Sequence, residues 1–168
     1  MKALMDLGAT TSQQSKWSEP WAALRLDSKT GFHMGQQDCK DKKDFWIQFD
    51  LKKPSEVSQV ILKRRADNDK PQLQKESFSM SDRLIDMIKV EYKNGNEKWT
   101  QYKDGALIPT GQKPEDKAEL ERVMELEPFV ANAIKITFPA NHSHTKFDEG
   151  YIGGRIDLLA AEAKAESA

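Results

Sequence analysis

One stretch decides the fold that the sequence predicts: Phe45-Trp46-Ile47-Gln48-Phe49-Asp50-Leu51. Side chains of a β-strand point alternately to its two faces, so Phe45, Ile47 and Phe49 share one face and Trp46 and Gln48 the other. Residues 52–54 (Lys-Lys-Pro) are predicted as a turn. A second β-branched run then occupies residues 57–62. Two apolar strands joined by a short connection indicate a β-rich protein.

More alternating segments follow along the chain. Residues 87–92 and 99–102 flank Asn94-Gly95-Asn96, a strong signal for a hairpin turn. Residues 133–138 form a predicted strand that Pro139 stops. Many short strands and almost no amphipathic helix predict a β-sandwich or a jelly roll.

Length and composition restrict the protein class. A chain of 168 residues fits one domain, predicted over residues 1–160, with a flexible Ala/Glu/Lys-rich tail at 161–168. The formal net charge of -1 gives no support for nucleic-acid binding, so no nucleic-acid partner is expected. Cys39 is the single cysteine, which excludes an intrachain disulfide and favours a reducing compartment. With no signal-peptide pattern at the N-terminus, the expected location is the cytoplasm.

Four blocks, in this order, resemble the discoidin domain, also called the coagulation factor V/VIII C-type or galactose-binding-like domain. They are Trp17-Ser18-Glu19-Pro20 with residues 23–26; Gly31-Phe32 with residues 45–51; residues 88–92 with Asn94-Gly95-Asn96 and Trp99; and residues 133–136 with residues 151–159. The resemblance implies an all-β fold, a jelly-roll β-sandwich of two antiparallel sheets. Its termini would lie close together, and ligand-binding loops would project from one end.

The chain also departs from the family pattern. It lacks the terminal cysteine pair of extracellular members, and disulfide-free relatives dock proteins in ubiquitin-ligase and ciliary-transport assemblies. The first loop, residues 12–16 (Ser-Gln-Gln-Ser-Lys), has none of the apolar side chains with which other members enter membranes. These departures favour an intracellular setting, which by family analogy would be ciliary or flagellar, and argue against membrane insertion.

The segment after the second run is the first candidate ligand site. It holds Arg64, Arg65, Asp67, Asn68 and Asp69, and resembles the Gln-Gly-Arg-Gly-Asp loop of sugar-binding discoidins. An arginine beside carboxylates presents donors and acceptors that suit vicinal hydroxyls. The alternative is a solvated loop in which Arg65 pairs with Asp67 or Asp69.

A second candidate is His33 with Phe32 and Asp27, because an aromatic face beside polar groups suits a sugar ring. The alternative for Phe32 is packing in the core or loop. Residues 27–30 (Asp-Ser-Lys-Thr) only partly match the calcium loop of some relatives, so no cofactor is predicted, although a structural calcium stays an alternative.

Other polar and aromatic residues are assigned structural or incidental roles. His142 and His144, with Asp148 and Glu149 nearby, lack the spacing of a zinc site, so no metal is predicted. Arg155 and Asp157 match positions that brace the family's fold. The strand aromatics are predicted to lie in the core: Trp46, Tyr92, Trp99 and Phe138.

The function expected from these features is non-catalytic binding through end loops of a β-sandwich. No paired carboxylates or nucleophile–base set indicates an enzyme. The main prediction is docking of a protein partner in a larger intracellular assembly. The alternative is lectin-like binding of a galactose-type glycan, and the third is phospholipid binding.

Overall fold

The computed structural model describes residues 1–13, 26–27, 32–33, 41, 43–64, 84–113, 115–139, 143–144 and 153–162. Within them the strands are β1 (Lys2–Ala3), β2 (Thr10–Gln13), β3 (Phe32–His33), β4 (Phe45–Lys63), β5 (Leu84–Ile85), β6 (Met87–Lys93), β7 (Thr100–Gln101), β8 (Ile108–Pro109), β9 (Arg122–Phe138), β10 (Ser143–His144) and β11 (Gly153–Glu162). Short 3₁₀ turns occupy Leu4–Leu7 and Tyr102–Gly105. Every strand pairing is antiparallel.

Strand β4 is longer than the sequence predicts. It passes through Pro54, so the turn predicted at residues 52–54 is wrong. The pairing with β9 breaks between Asp50 and Ser55, and Pro54 falls inside that break. Proline lacks an N–H to donate, and an unpaired bulge is where a strand tolerates it. The chain therefore bends here without leaving the sheet.

The bend divides β4 and its partner β9 into two halves. The first half of β4 pairs with β2 and with the end of β9, for example Ile47 with Ile136. The second half pairs with β11 and with the beginning of β9, for example Val60 with Met124. The two long strands thus join both groups of strands within one antiparallel sheet of the β-sandwich.

The inward face of both halves forms one apolar core. Phe45, Ile47 and Phe49 are fully buried, as the alternation predicts. They belong to the same buried cluster as Val60 and Ile156 from the other half. Burial of such side chains contributes about 1.5–3 kcal/mol each, so this shared core is the main stabilising feature of the fold.

The two ends of the chain meet along β11. Lys2 pairs with Ala160, and Ala3 pairs with Leu159, as the resemblance implies. Strand β11 continues to Glu162, which pairs with Ser55. The ordered sheet thus runs past the predicted boundary at residue 160, and residues 163–168 of the predicted tail lie outside the described part of the chain.

Candidate functional site: the arginine end

Several segments begin or end where β4 and β11 meet. Lys63, the last residue of β4, pairs with Arg155, and Arg64 follows directly. On the other side of β11, Phe32 pairs with Gly154. The two predicted ligand segments therefore flank the beginning of β11, one on each side. We call this part of the molecule the arginine end.

Arg155 joins the loops of the arginine end. Its side chain is buried and donates from Nε to the carbonyl of Arg64 at 3.0 Å and from Nη1 to that of Leu26 at 2.9 Å. Nη2 donates to the carbonyl of Ala118 at 2.6 Å and to Oε1 of Glu119 at 3.2 Å. A guanidinium offers five N–H donors in a rigid plane. One side chain thereby fixes three separate chain segments.

Arg64 supports the same loop from the next strand. It is 2% exposed, and Nη1 donates to the carbonyls of Asp116 at 3.3 Å and Lys113 at 3.5 Å. These contacts are with backbone atoms of the segment that precedes β9. Two buried arginines, one on β11 and one directly after β4, therefore hold Lys113, Asp116, Ala118 and Glu119 against the sandwich.

An ion pair stiffens this segment from within. Arg122 donates from Nε and Nη2 to the two carboxylate oxygens of Asp116, at 2.9 and 2.6 Å. Oδ2 of Asp116 also accepts from the backbone N–H of Lys113 at 3.0 Å. The Arg122 hydrogen bond is the main cause that lowers the pKa of Asp116, against an opposing effect of burial. The carboxylate is therefore charged at neutral pH, in a bidentate pair.

A lysine and a glutamate close the rim of the arginine end. The Nζ of Lys63 lies 3.0 Å from Oε2 of Glu119 and 3.3 Å from the carbonyl of Leu26. The Lys63 hydrogen bond, followed by the charge of Arg155, lowers the pKa of Glu119. Leu26 thus receives hydrogen bonds from two cations, which anchors the chain just before residues 28–31.

The segment after residues 65–83 is anchored as well. The backbone N–H of Ile85 donates to Oε1 of Gln112 at 3.1 Å, and its carbonyl accepts from the hydroxyl of Thr110. The N–H of Thr110 donates to the carbonyl of Asp86 at 2.8 Å. All three residues, Ile85, Thr110 and Gln112, are buried. The long segment between Arg64 and β5 is therefore fixed at both of its ends to the same loop.

The sequence comparison identifies the family. A family model described as the F5/8 type C domain matches residues 8–149. The chain belongs to the F5/8 type C, or discoidin, domain family. This family is a family of binding modules, and the match spans both candidate ligand segments. No curated protein sequence matches the chain.

Solved structures share the fold of this F5/8 type C domain at low sequence identity. An F5/8 type C domain from Bacteroides fragilis is 10% identical, with a TM-score of 0.64 over 96% of this chain and 97% of that one. The family 32 carbohydrate-binding module of Clostridium perfringens NanJ, in complex with galactose, is 15% identical, with a TM-score of 0.59 over 93% and 96%. A further C. perfringens module, in complex with GalNAc-β-1,3-galactose, is 11% identical, with a TM-score of 0.58 over 95% and 100%.

The structure locates only part of the predicted ligand set. Phe32 and His33 form β3, beside β11. Arg64 is buried against backbone carbonyls, so its described contacts brace the loop, and a ligand contact for it stays a prediction. The other four predicted ligand residues lie outside the described residues: Arg65, Asp67, Asn68 and Asp69.

The remaining sequence assignments divide in the same way. Arg155 and Asp157 are buried and hydrogen-bonded, which confirms their structural roles. His144 pairs in β10 with Leu84, whereas His142 and Cys39 lie outside the described part of the chain. Within that part, no group of three or more His, Cys, Asp or Glu side chains could hold a metal ion. It also contains no helix long and apolar enough to cross a membrane.

The sequence missed the ion pairs of the arginine end. Asp116 and Arg122 lie in a stretch without a motif, and Glu119 meets Lys63 only because β4 and the loop before β9 converge. One signal in the sequence could have indicated the pair of Asp116 and Arg122. The alternation in residues 123–126 predicts a strand that begins near Arg122. A cation at the start of this strand therefore directly follows an acidic loop.

Two of the four aromatic residues predicted for the core lie outside it. Phe138 is fully buried and Tyr92 packs against the core, but Trp46 and Trp99 are half-buried. Trp46 points outward because side chains alternate along a strand and its neighbours Phe45 and Ile47 occupy the inward positions. Trp99 precedes the short strand β7 at the edge of the same sheet. Both rings lie on the outer face.

Proposed function

We propose that this F5/8 type C domain binds a galactose-type saccharide through the segments held at the arginine end. Two of the three structures reported above contain saccharides, galactose in one and GalNAc-β-1,3-galactose in the other. At 15% and 11% identity these likenesses concern the fold, so the ligand is a proposal for this chain. The observation that carries it is the anchoring of both candidate segments around Arg155.

Preorganisation is the physical argument for a site at this end. A loop that is ordered only on binding loses part of its interaction free energy to that ordering. Arg155 ties Leu26 and Ala118 to the end of β4 before any ligand arrives. Residues 28–31 and 65–83 start from these fixed points. Such support makes specific binding of a small ligand feasible.

The residues of the two segments supply the chemistry of the proposal. Arg65 beside Asp67 and Asp69 offers a donor fork next to acceptors, which suits neighbouring hydroxyls of a pyranose. His33 adds a further polar group, and Phe32 an aromatic ring for the apolar face of the sugar. Register brings β3 and the end of β4 to opposite sides of β11.

Protein docking was the main prediction from sequence, and the structures reported above give it no support. The glycan alternative is therefore the function that we propose. A direct test is titration of the full chain with galactose, with GalNAc-β-1,3-galactose and, as a control, with glucose. Saturable heat with either galactoside and none with glucose is expected. Absence of binding to every saccharide on a glycan array, together with co-purification of a stoichiometric protein complex, would overturn the proposal.

A variant pair locates the site. Arg65→Ala removes a charge-assisted donor worth about 1.5–3 kcal/mol, so affinity should fall roughly tenfold to hundredfold. Lys52→Ala serves as the control, because Lys52 is an exposed cation at the bend of β4, away from the arginine end. Both variants should keep the wild-type unfolding midpoint. Equal affinities of the two variants would exclude residues 65–69 from the site.

A further inference from the structure

The outer face of the sheet carries a band in which tryptophan and lysine alternate. It consists of Trp46 on β4, Lys135 on β9, Trp99 before β7 and Lys93 on β6. Antiparallel pairing of Gln48 with Lys135 and of Lys135 with Glu91 places these strands side by side. We call this set the Trp–Lys band. All four members are half-buried.

The two ammonium groups lie over the rings. The Nζ of Lys135 is 5.1 Å from the centroid of the Trp46 ring and 5.1 Å from that of Trp99. The Nζ of Lys93 is also 5.1 Å from the Trp99 centroid. Lys135 therefore joins the rings of Trp46 and Trp99 through cation–π contacts. The turn before Trp99 is fixed separately, by a hydrogen bond from the N–H of Gly95 to Oδ1 of Asn132.

The lysines of the Trp–Lys band form no ion pair in the described part of the chain, although Glu91 pairs with Lys135 across β6 and β9. Among the described residues, no carboxylate lies within 4.0 Å of the Nζ of Lys93 or Lys135. Of the neighbouring acids, Glu91 has its Oε1 3.9 Å from the Nζ of Lys89, and Asp50 accepts a hydrogen bond at Oδ1 from Nε2 of Gln48 at 3.0 Å. Two cations beside two half-exposed apolar rings are complementary to an anion that itself carries an apolar face.

We infer that the Trp–Lys band is a second binding surface, for an acidic polysaccharide built from hexuronate units. A hexuronate carries its carboxylate on the same ring whose C–H face is apolar, so one unit satisfies both a lysine and a tryptophan. An open sheet face accommodates consecutive units of a chain better than a closed pocket does. The choice of a saccharide rests on the proposed function, whereas the need for negative charge rests on Lys93 and Lys135.

Binding exchanges one type of contact for another. A cation over an exposed ring is held more weakly than an ammonium that donates to a carboxylate. Lys135 therefore moves from the rings to the uronate carboxylate, and the vacated rings of Trp46 and Trp99 pack against the sugar. An acidic peptide would supply the charge without the apolar ring face. A nucleic acid would require more unpaired cations than the band offers, at a net charge of -1 for the chain.

The test is titration of the full chain with polygalacturonate, with neutral galactan, with poly-glutamate and with oligothymidylate, followed by tryptophan fluorescence and calorimetry. Polygalacturonate should bind, and its affinity should fall with added salt. Lys135→Gln should weaken this binding by about tenfold, whereas the exposed control Lys52→Gln should not change it. Trp99→Ala should weaken it as well, with the unfolding midpoint as the check on folding.

Other outcomes would overturn the inference. They are equal affinity for poly-glutamate or oligothymidylate, or equal affinities of the Lys135→Gln and Lys52→Gln variants for polygalacturonate. The two sites fail separately. If the protein binds galactose but not polygalacturonate, only the inference about the Trp–Lys band is overturned. If it binds polygalacturonate through Lys135 but binds no galactoside, the galactose proposal is overturned and the inference about the band stands.

Discussion

Strand β11 carries two buried charged residues, and their surroundings differ. Arg155 faces the arginine end, where three backbone carbonyls and Glu119 accept its hydrogen bonds. Asp157, two residues on, faces the N-terminal 3₁₀ turn, where Oδ1 accepts from the N–H groups of Leu4 at 3.1 Å and Leu158 at 2.8 Å. No hydrogen bond or ion pair joins the two side chains among the described contacts.

The difference shows how one strand fixes both ends of the domain. The guanidinium of Arg155 distributes its hydrogen bonds over acceptors from three segments. Among the described residues, Asp157 has backbone donors and no cationic partner, and burial raises its pKa to about 6. The nearby charge of Asp6 adds to this rise. The arginine end is therefore held by a guanidinium with several acceptors, whereas the attachment of the N-terminal turn depends on pH.

The largest effect is expected from Arg155→Ala. The change leaves three carbonyls without their donor in a buried place, which costs about 3 kcal/mol or more of the free energy of unfolding. Urea denaturation measures this loss, with Lys52→Ala, expected within about 0.5 kcal/mol of wild type, as the control. If the two variants unfold alike, Arg155 does not hold the arginine end.

The next effect is a pH dependence at Asp157. Its folded-state pKa of about 6 lies above the ordinary value of 3.8, so the folded state binds the extra proton between these values. Stability contributed by the protonated group is therefore present near pH 4 and is lost as pH rises through about 6. The loss is about 3 kcal/mol at most, at about 1.4 kcal/mol per pKa unit.

Denaturation of wild type and Asp157→Asn across pH 4 to pH 7 checks this sign. The variant cannot titrate at this position, so its unfolding free energy should change less over that window. A slope that the substitution leaves unaltered would show that Asp157 titrates in its ordinary range. In that case the attachment of the N-terminal turn would not depend on pH in this window, and the contrast between the two ends would disappear.

The smallest effect is expected from Asp116→Asn. It weakens the bidentate pair with Arg122, whose side chain is 29% exposed, so the cost after solvent screening is about 1 kcal/mol. The pKa of Asp116 is lowered, so its stabilisation is present above the ordinary value and is lost only as pH falls below it. Denaturation below pH 4 should therefore report the contribution of Asp116 to stability, because the contribution of Asp157 changes at higher pH. If Asp116→Asn is less stable than wild type only at neutral pH and above, Asp116 does not have the lowered pKa assigned to it.

Part of the fold followed from local pattern. Alternation correctly placed Phe45, Ile47 and Phe49 in the core and ended β9 at Phe138 before Pro139. The same parity rule should have placed Trp46 outside, yet its aromatic character suggested the core. The turn at residues 52–54 was wrong because a proline also fits a bulge, and only the partner strand shows which of the two occurs.

The candidate site was less predictable. Arg64 was assigned to a ligand because its segment resembles the Gln-Gly-Arg-Gly-Asp loop of sugar-binding discoidins, and that assignment stays a prediction. The carbonyls that Arg64 meets lie at Lys113 and Asp116, far along the chain. The contacts of Arg155 span still larger separations, from Leu26 to Ala118. A single sequence carries no periodic signal for such pairs. Resemblance to the family indicated that Arg155 is structural but named none of its partners.

The sequence by itself determined the β class, the inward set of strand residues and the family, because these depend on side-chain period and on short blocks of residues. Tertiary structure alone decided which charges are buried and what they bind. Arg155 and Asp157 have the same spacing as any two residues on one face of a strand. Their different roles arise because the arginine end offers carbonyl acceptors and the N-terminal turn offers N–H donors without a cation.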